Sequence, residues 1–276
     1  MNSFEISSGL PNKKTYEHIL TSVLFNELER FSNTFLLQHK NLLKTYRRKW
    51  VADPLHQWSR QYEYPFVYSK IMSFTKNDHK TPISILDAGS GVTFFPFYLA
   101  SIFQNSRVDC ADFNTLPAIL IPKINSMTDR SVGFYRTDIR ALPFDNNTYD
   151  VIYCISVLEH TKSFPQIIQE FKRLLRPGGI LLITFDISID GTLDIPLKLA
   201  TELLHEVGRS FNSPVEIGDL SADSLVTTRF IRNFDPSLLP WKYPSIQFLK
   251  SFIKFRLPKT LFPNLTFYCV SVQNNS

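Results

Sequence analysis

Apolar residues in the stretch 13–50 (Ile19, Val23, Leu24, Leu28, Phe31, Phe35, Leu36, Leu42 and Leu43) recur at spacings of three and four. That period predicts helix. The following stretch, 53–65, is dense in aromatics and carries two prolines, Pro54 and Pro65. Proline removes a backbone donor and crowds the preceding turn, so the stretch reads as a loop or a pair of short helices. From residue 83 the pattern changes. Short apolar runs at 83–86, 107–111, 132–135, 149–155 and 180–185 read as strands, with helical runs at 94–103, 116–124 and 164–175 between them. Strands and helices alternating at these lengths imply parallel strands joined by crossover helices, an α/β fold. After residue 186 the pattern loosens. Residues 195–207 read as a helix, 225–231 as strand-like and 265–272 as a β-rich final strand, with a Pro-punctuated stretch at 234–263.

Composition narrows the class. Hydrophobic residues make up 43% and charged residues 20% of 276 positions, enough apolar surface to bury a core and too little charge for a disordered chain. The 24 Phe and 11 Tyr suit a thick core or an apolar ligand pocket, and composition does not separate the two. Cys110, Cys154 and Cys269 lie far apart in strand-like runs without metal-ligand spacing, and their odd number argues against a disulfide framework. A reduced, cytoplasmic compartment follows, with no metal expected. The N-terminus lacks a basic region followed by an apolar run, and the run 180–183 is far below the ~20 residues that span a bilayer. The net charge of +5 is uneven: 81–190 leans acidic and both flanks lean basic. This fits a core enclosing a cationic ligand with flanks facing an anionic partner, or simply scattered solubilising charge.

The first strand runs into Ile85-Leu86-Asp87-Ala88-Gly89-Ser90-Gly91, and a helix opens after it. Glycines there let the backbone turn tightly and approach a ligand closely. The second strand ends in Asp112, where a carboxylate suits the two hydroxyls of a ribose. A nicotinamide dinucleotide would use the same geometry, but Gly89-x-Gly91-x-x-Phe94 lacks the third glycine of that fingerprint.

Four elements in register then carry a resemblance: Leu86-Asp87-Ala88-Gly89-Ser90-Gly91; Asp112; Thr137-Asp138-Ile139-Arg140-Ala141-Leu142-Pro143-Phe144, with Asp150 and Ser156-Val157-Leu158-Glu159-His160; and Leu174-Leu175-Arg176-Pro177-Gly178-Gly179. Over about residues 83–186 the chain resembles the class I S-adenosylmethionine (SAM)-dependent methyltransferases, in their small-molecule "type 11" branch. The wording around Gly91-Val-Thr-Phe-Phe-Pro96 and Trp58-Ser-Arg-Gln-Tyr-Glu-Tyr-Pro65 also looks like methyltransferases found with polysaccharide-building enzymes. The resemblance implies a Rossmann-like sheet of order 3-2-1-4-5-7-6 with an antiparallel last strand. It further implies an N-terminal helical cap or lid over 1–80, a methyltransferase domain over 81–276 and an insertion at 234–263.

Carried over residue by residue, the resemblance implies that Asp87, Gly89 and Gly91 hold the methionine part of SAM. Asp112 would bind the ribose, with Phe113 beside the adenine. Asp138 would accept from the adenine amino group while Ile139 packs on the ring, and Ile155 and Ser156 would line the floor near the sulfonium. The family's third loop glycine is replaced by Thr93, whose hydroxyl could cap the next helix. For a hydroxyl acceptor, His160 is the candidate general base, with Asp186 and Glu159 as alternatives. Arg60, Tyr62, Glu63 and Tyr64 could clamp a polar acceptor, Arg60 suiting a phosphate or carboxylate, or they could merely tie the N-terminal segment to the core. The acceptor expected is a small molecule, a sugar or a glycan intermediate, methylated on oxygen more readily than nitrogen, with S-adenosylhomocysteine (SAH) as product. Rival readings are a nucleic-acid or protein methyltransferase and a nicotinamide-dependent oxidoreductase. The acid-free stretch 242–259, with Lys242, Lys250, Lys254, Arg256 and Lys259 among aromatics, could lie on an anionic membrane surface or form a solvated cap helix. No nucleic-acid module is recognisable.

Overall fold

The computed structural model describes residues 5–47, 53–161, 163–193, 195–239 and 263–275. The single helical period of the N-terminal region resolves into three helices, α1 (Lys13–Leu20), α2 (Val23–Gln38) and α3 (Lys40–Tyr46). The break has a local cause. The Ser22 hydroxyl accepts from the Phe25 amide at 3.1 Å, capping α2 as a new helix rather than continuing α1. Helix α4 (Arg60–Phe74) follows and corrects the loop reading of 53–65, because Pro65 sits inside it. A mid-helix proline costs about 3 kcal/mol. Phe66, Val67 and Ile71 are fully buried, at roughly 1.5–3 kcal/mol each, which more than offsets it. The helix is buried on nearly every face, so it shows no apolar stripe for a periodicity reading to find.

The strand–helix alternation follows the sequence reading: β1 (Ser84–Ala88), α5 (Phe95–Ile102), β2 (Arg107–Asp112), α6 (Thr115–Asn125), β3 (Gly133–Arg136), β4 (Tyr149–Ile155), α7 (Phe164–Leu174) and β5 (Leu175–Ser188). After these come β6 (Ile195–Pro196), α8 (Leu197–Phe211), α9 (Thr228–Phe234) and β7 (Leu265–Gln273). The sheet runs β3-β2-β1-β4-β5, all parallel, with β7 antiparallel beside β5 along Ile180–Ser188. This is the Rossmann-like methyltransferase sheet. The two-residue β6 pairs with the far end of β5. The strand expected at 225–231 is a turn into α9: Thr227 accepts from the Phe230 amide at 3.2 Å, so a β-branched residue starts a helix as its cap.

Two apolar clusters lie on opposite faces of the sheet. One packs α1–α6 against it, and the other packs α7 and α8. The N-terminal segment is also stitched to the last strand, with Gly9 and Cys269 exchanging backbone hydrogen bonds of 2.8 and 3.0 Å. Parallel strands in this order leave a crevice beyond their carboxyl ends, between β1 and the strands beside it. Residues 240–262, most of the expected insertion and all of the basic stretch 242–259, lie outside the described residues.

Candidate functional site

A cleft of about 910 Å³ opens at those strand ends, and the cofactor residues expected from the sequence all line it: Asp87, Gly89, Gly91, Asp112, Phe113, Asp138, Ile139, Ile155 and Ser156. Each is delivered by an element end. Asp87 is near the end of β1, Asp112 closes β2, Asp138 follows β3, and Ile155 closes β4.

The glycine loop is tight for identifiable reasons. Gly89 has φ +82° and a Cβ there would stand 2.6 Å from a Val157 methyl. Gly91 has φ +55°, and a Cβ would stand 2.5 Å from the Tyr46 hydroxyl. That hydroxyl accepts from the Val92 amide at 3.0 Å. Burial, opposed by the Val92 amide and helped by Asp112 and Asp87, pushes the Tyr46 phenol up to about 12, so it stays neutral. Tyr46 was missed in the sequence because nothing local marks one tyrosine at the end of a helix as a reader of a loop 45 residues on. Thr93 does not cap α5, whose N-cap position is Phe94 without a side-chain bond. Its hydroxyl instead pairs with Tyr64.

The three carboxylates differ in state. Asp112 Oδ2 accepts from the Gly91 amide at 2.9 Å, while Oδ1 accepts from the Asn114 amide (2.7 Å) and side chain (2.8 Å). Loop and strand end therefore hold this carboxylate in one orientation. Asp87 is buried, and burial pushes its carboxyl up to about 8, against the Tyr153 hydroxyl and with help from Asp112. A cationic group arriving beside it would favour ionisation. Asp138 is half-exposed and already engaged: Arg140 Nε lies 3.0 Å from both of its oxygens, and the Arg140 amide donates to Oδ1 at 2.9 Å. Arg140 holds its carboxyl below the usual range. Phe113 is 71% exposed at the cleft, a flat apolar face with nothing stacked on it among the described residues.

His160, Glu159 and Asp186 also line the cleft, at its β4–β5 side. Arg60 and Tyr64 join them from α4, but Tyr62 and Glu63 do not. The Tyr62 ring packs on Phe267 with centroids 5.4 Å apart. Glu63 is fully buried, ion-paired with Arg60, and accepts from the Ser156 hydroxyl at 3.0 Å. Arg60 in turn donates to that same hydroxyl. Desolvation works against the Arg60 charge, but Glu63 first, with Tyr64, Asp186 and Glu159, more than offsets it and raises its pKa. Ser156 has φ +47°, strained for a residue with a side chain, and its hydroxyl is spoken for. Pro54 and Gln57 complete the rim. Among the described residues no group of three or more His, Cys, Asp or Glu could hold a metal ion, and no helix is long and apolar enough to cross a membrane.

Residues 86–183 match the family described as a methyltransferase domain. These residues form a SAM-dependent methyltransferase domain. The match covers the glycine loop and the ends of β1, β2 and β4, the segments that build the cleft. The likeness to individual relatives is distant. The chain is 25% identical over 175 residues to a ubiquinone biosynthesis O-methyltransferase of Rickettsia akari, covering 60% of this chain and 68% of that protein. It is 23% identical over 180 residues to a tRNA U34 carboxymethyltransferase of Campylobacter curvus, covering 61% and 60%. It is 28% identical over 113 residues to phosphoethanolamine N-methyltransferase 3 of Arabidopsis thaliana, covering 39% of this chain and 22% of that protein. The methyltransferase domain is thus shared with relatives whose names give different acceptors, and the match spans between a fifth and two thirds of their lengths. Among solved structures, Haemonchus contortus phosphoethanolamine N-methyltransferase 2 in complex with SAM aligns over 89% of this chain and 60% of its own, with a TM-score of 0.52 at 16% identity. That likeness is one of fold.

Proposed function

We propose that the chain transfers the methyl group of SAM to a hydroxyl of a small or medium-sized acceptor, a sugar or glycan intermediate being the class it suits. The observation that carries this is the convergence of Asp87, Asp112 and Asp138 on one cleft whose floor is Ile155 and Ser156. In this reading Asp112, already oriented by Gly91 and Asn114, holds the ribose hydroxyls, and Asp138 with Ile139 and Phe113 holds the adenine. Asp87, Gly89 and Gly91 hold the methionine end. Ser156 contributes through its main chain, because its hydroxyl is bonded to Glu63. Bound there, SAM supplies an electrophilic methyl group on a sulfonium. The protein's part is then to align the acceptor oxygen in line with that methyl and to exclude water. Arg60, Tyr64 and His160 stand where the acceptor would enter, and Glu63 acts by fixing Arg60.

Tyr46, Pro54, Gln57, Arg60 and Tyr64 all come from residues 1–80 and line the cleft, in keeping with a cap in this reading. A cleft walled by both the N-terminal region and the sheet favours a small acceptor over a nucleic acid or a folded protein. Calorimetric titration should show binding of SAM and SAH and none of NAD. A panel of hydroxylated acceptors, sugars included, should release SAH from SAM. Absence of SAM binding, or turnover only on RNA or protein, would overturn the reading.

A further inference from the structure

The amides of the glycine loop find acceptors of two kinds. The Gly89 and Ser90 amides donate to the Ala111 carbonyl at 2.8 and 3.2 Å, and the Gly91 amide donates to Asp112 Oδ2 at 2.9 Å. Both acceptors belong to β2, so this half of the loop is fixed by the sheet that carries it. The Val92 amide breaks the series. Its acceptor, at 3.0 Å, is the hydroxyl of Tyr46, the last residue of α3. One position further, the Thr93 hydroxyl pairs with Tyr64 of α4. The second half of the loop is therefore held from outside the sheet, by two tyrosines of the N-terminal helices.

Tyr46 lines the cleft beside Gly89, Ser90, Gly91 and Val92 and is itself buried. Its bond to Val92 is buried too, so losing the hydroxyl leaves that amide without its acceptor, which costs free energy. The hydroxyl also sits against Gly91. A Cβ there would stand 2.5 Å from the oxygen, while the ring carbon behind it is 3.8 Å away. Gly91 has φ +55°, a conformation that residues with side chains disfavour. It is thus pinned by the Asp112 carboxylate on its amide and by the tyrosine oxygen against its α-carbon.

We propose that Tyr46 is a positioning residue for the methyl donor: its hydroxyl, seated on the Val92 amide and against Gly91, holds the second half of the glycine loop in the shape that receives the amino-acid end of SAM. This rests on the SAM reading above, in which Asp112, Asp138, Ile139 and Phe113 hold the adenosine end. The two ends of the donor then depend on different parts of the fold. The adenosine end rests on strand ends and the turns after them, which the sheet orders by itself. The amino-acid end rests on a loop that needs α3 in place. Grip on the donor's amino acid is thereby tied to the packing of an N-terminal helix, and the tyrosine acts without touching the reacting atoms.

Calorimetric titration of the full chain with SAM, SAH and methylthioadenosine, which lacks the amino-acid end, separates the two contributions. Tyr46→Phe keeps the ring and removes the hydroxyl. It should weaken SAM and SAH about tenfold and leave methylthioadenosine within about twofold of the wild type. A tyrosine that served only the fold would move all three ligands together. Gly91→Ala reaches the same contact from the loop, and it carries the test should Tyr46→Phe fail to fold. It too should weaken SAM and SAH more than methylthioadenosine. In the double variant the added Cβ meets no hydroxyl, so Gly91→Ala should cost about fivefold less SAM affinity there than in the wild-type background. The strain of its backbone is common to both backgrounds and cancels. Unchanged SAM affinity in Tyr46→Phe, an equal loss for all three ligands in either variant, or additive effects of the two substitutions overturn the inference and leave the SAM reading standing. A wild-type chain that binds neither SAM nor SAH overturns both.

Discussion

The Ser156 hydroxyl donates to Glu63 Oε1 at 3.0 Å, joining the end of β4 to a fully buried carboxylate on α4 that is 93 positions away in the chain. Arg60 closes the triangle by bonding both partners. The strained turn at Ser156, which lines the cleft, is therefore braced by α4.

Removing the brace should be expensive. Glu63→Ala leaves the Arg60 guanidinium buried without its partner, a loss of about 3–5 kcal/mol. In a domain of this size that is a fall in melting temperature of roughly 10 °C, read by thermal unfolding. Ser156→Ala removes one hydroxyl between two charged groups and should cost about 1–2 kcal/mol. If Glu63→Ala melts with the wild type, the triangle is not a brace.

Asp112 and Asp138 should contribute unequally to cofactor affinity. Asp112 is buried and oriented by Gly91 and Asn114. Asp138 is half-exposed and must share its oxygens with Arg140. Two charge-assisted bonds at about 1.5–3 kcal/mol each predict a loss of roughly a hundredfold or more in SAM affinity for Asp112→Ala. One solvated bond of about 1 kcal/mol predicts roughly a fivefold loss for Asp138→Ala. Calorimetry checks the order, and the reverse order would refute this assignment.

The empty protein should lose stability as pH rises from about 4 to 8. Burial raises Asp87 to about 8 in the folded chain, so between its unfolded and folded values the native state binds more protons than the unfolded one. The stabilising difference is complete below the unfolded pKa and is lost as pH climbs through the folded one. Asp87→Asn should flatten this slope and raise the melting temperature at pH 8 by a few degrees, while weakening SAM binding. Thermal melts across pH, with and without the substitution, decide it.

His56 gives a pH dependence of its own on the rim. Its Nδ1 lies 2.7 Å from Asp53 and its Nε2 2.9 Å from Glu29. Asp53 first, against desolvation and with Glu29, raises it to about 9. The bridge tying the rim loop to α2 should be intact below about pH 6.5 and lost as pH passes 9. All three side chains are about a third exposed, so screening limits its worth to about 1 kcal/mol or less. His56→Gln should melt slightly lower than the wild type at pH 7 and together with it at pH 10.

The carboxylates and glycines of the cleft were legible in the sequence because strand ends are local events. An apolar run that stops at Asp87 or Asp112, followed by a turn-forming residue, already says that a carboxylate sits at the mouth of a parallel sheet. The five core strands followed from the alternation of apolar runs, and their order from the resemblance to the class I methyltransferases. What the sequence could not say is which distant groups meet there. The all-round burial of α4 hid it from any periodicity and let Pro65 lie inside a helix. The pairing of Glu63 with Ser156 and of Tyr46 with Val92 depends on helices folding back over the sheet. So does the upward shift of the Glu159 carboxyl, which comes from burial first and then from Asp186 on β5. Chain-local order chose the residues of this cleft. Their charges and their bracing were decided by desolvation and by long-range contacts, which exist only once the chain is packed.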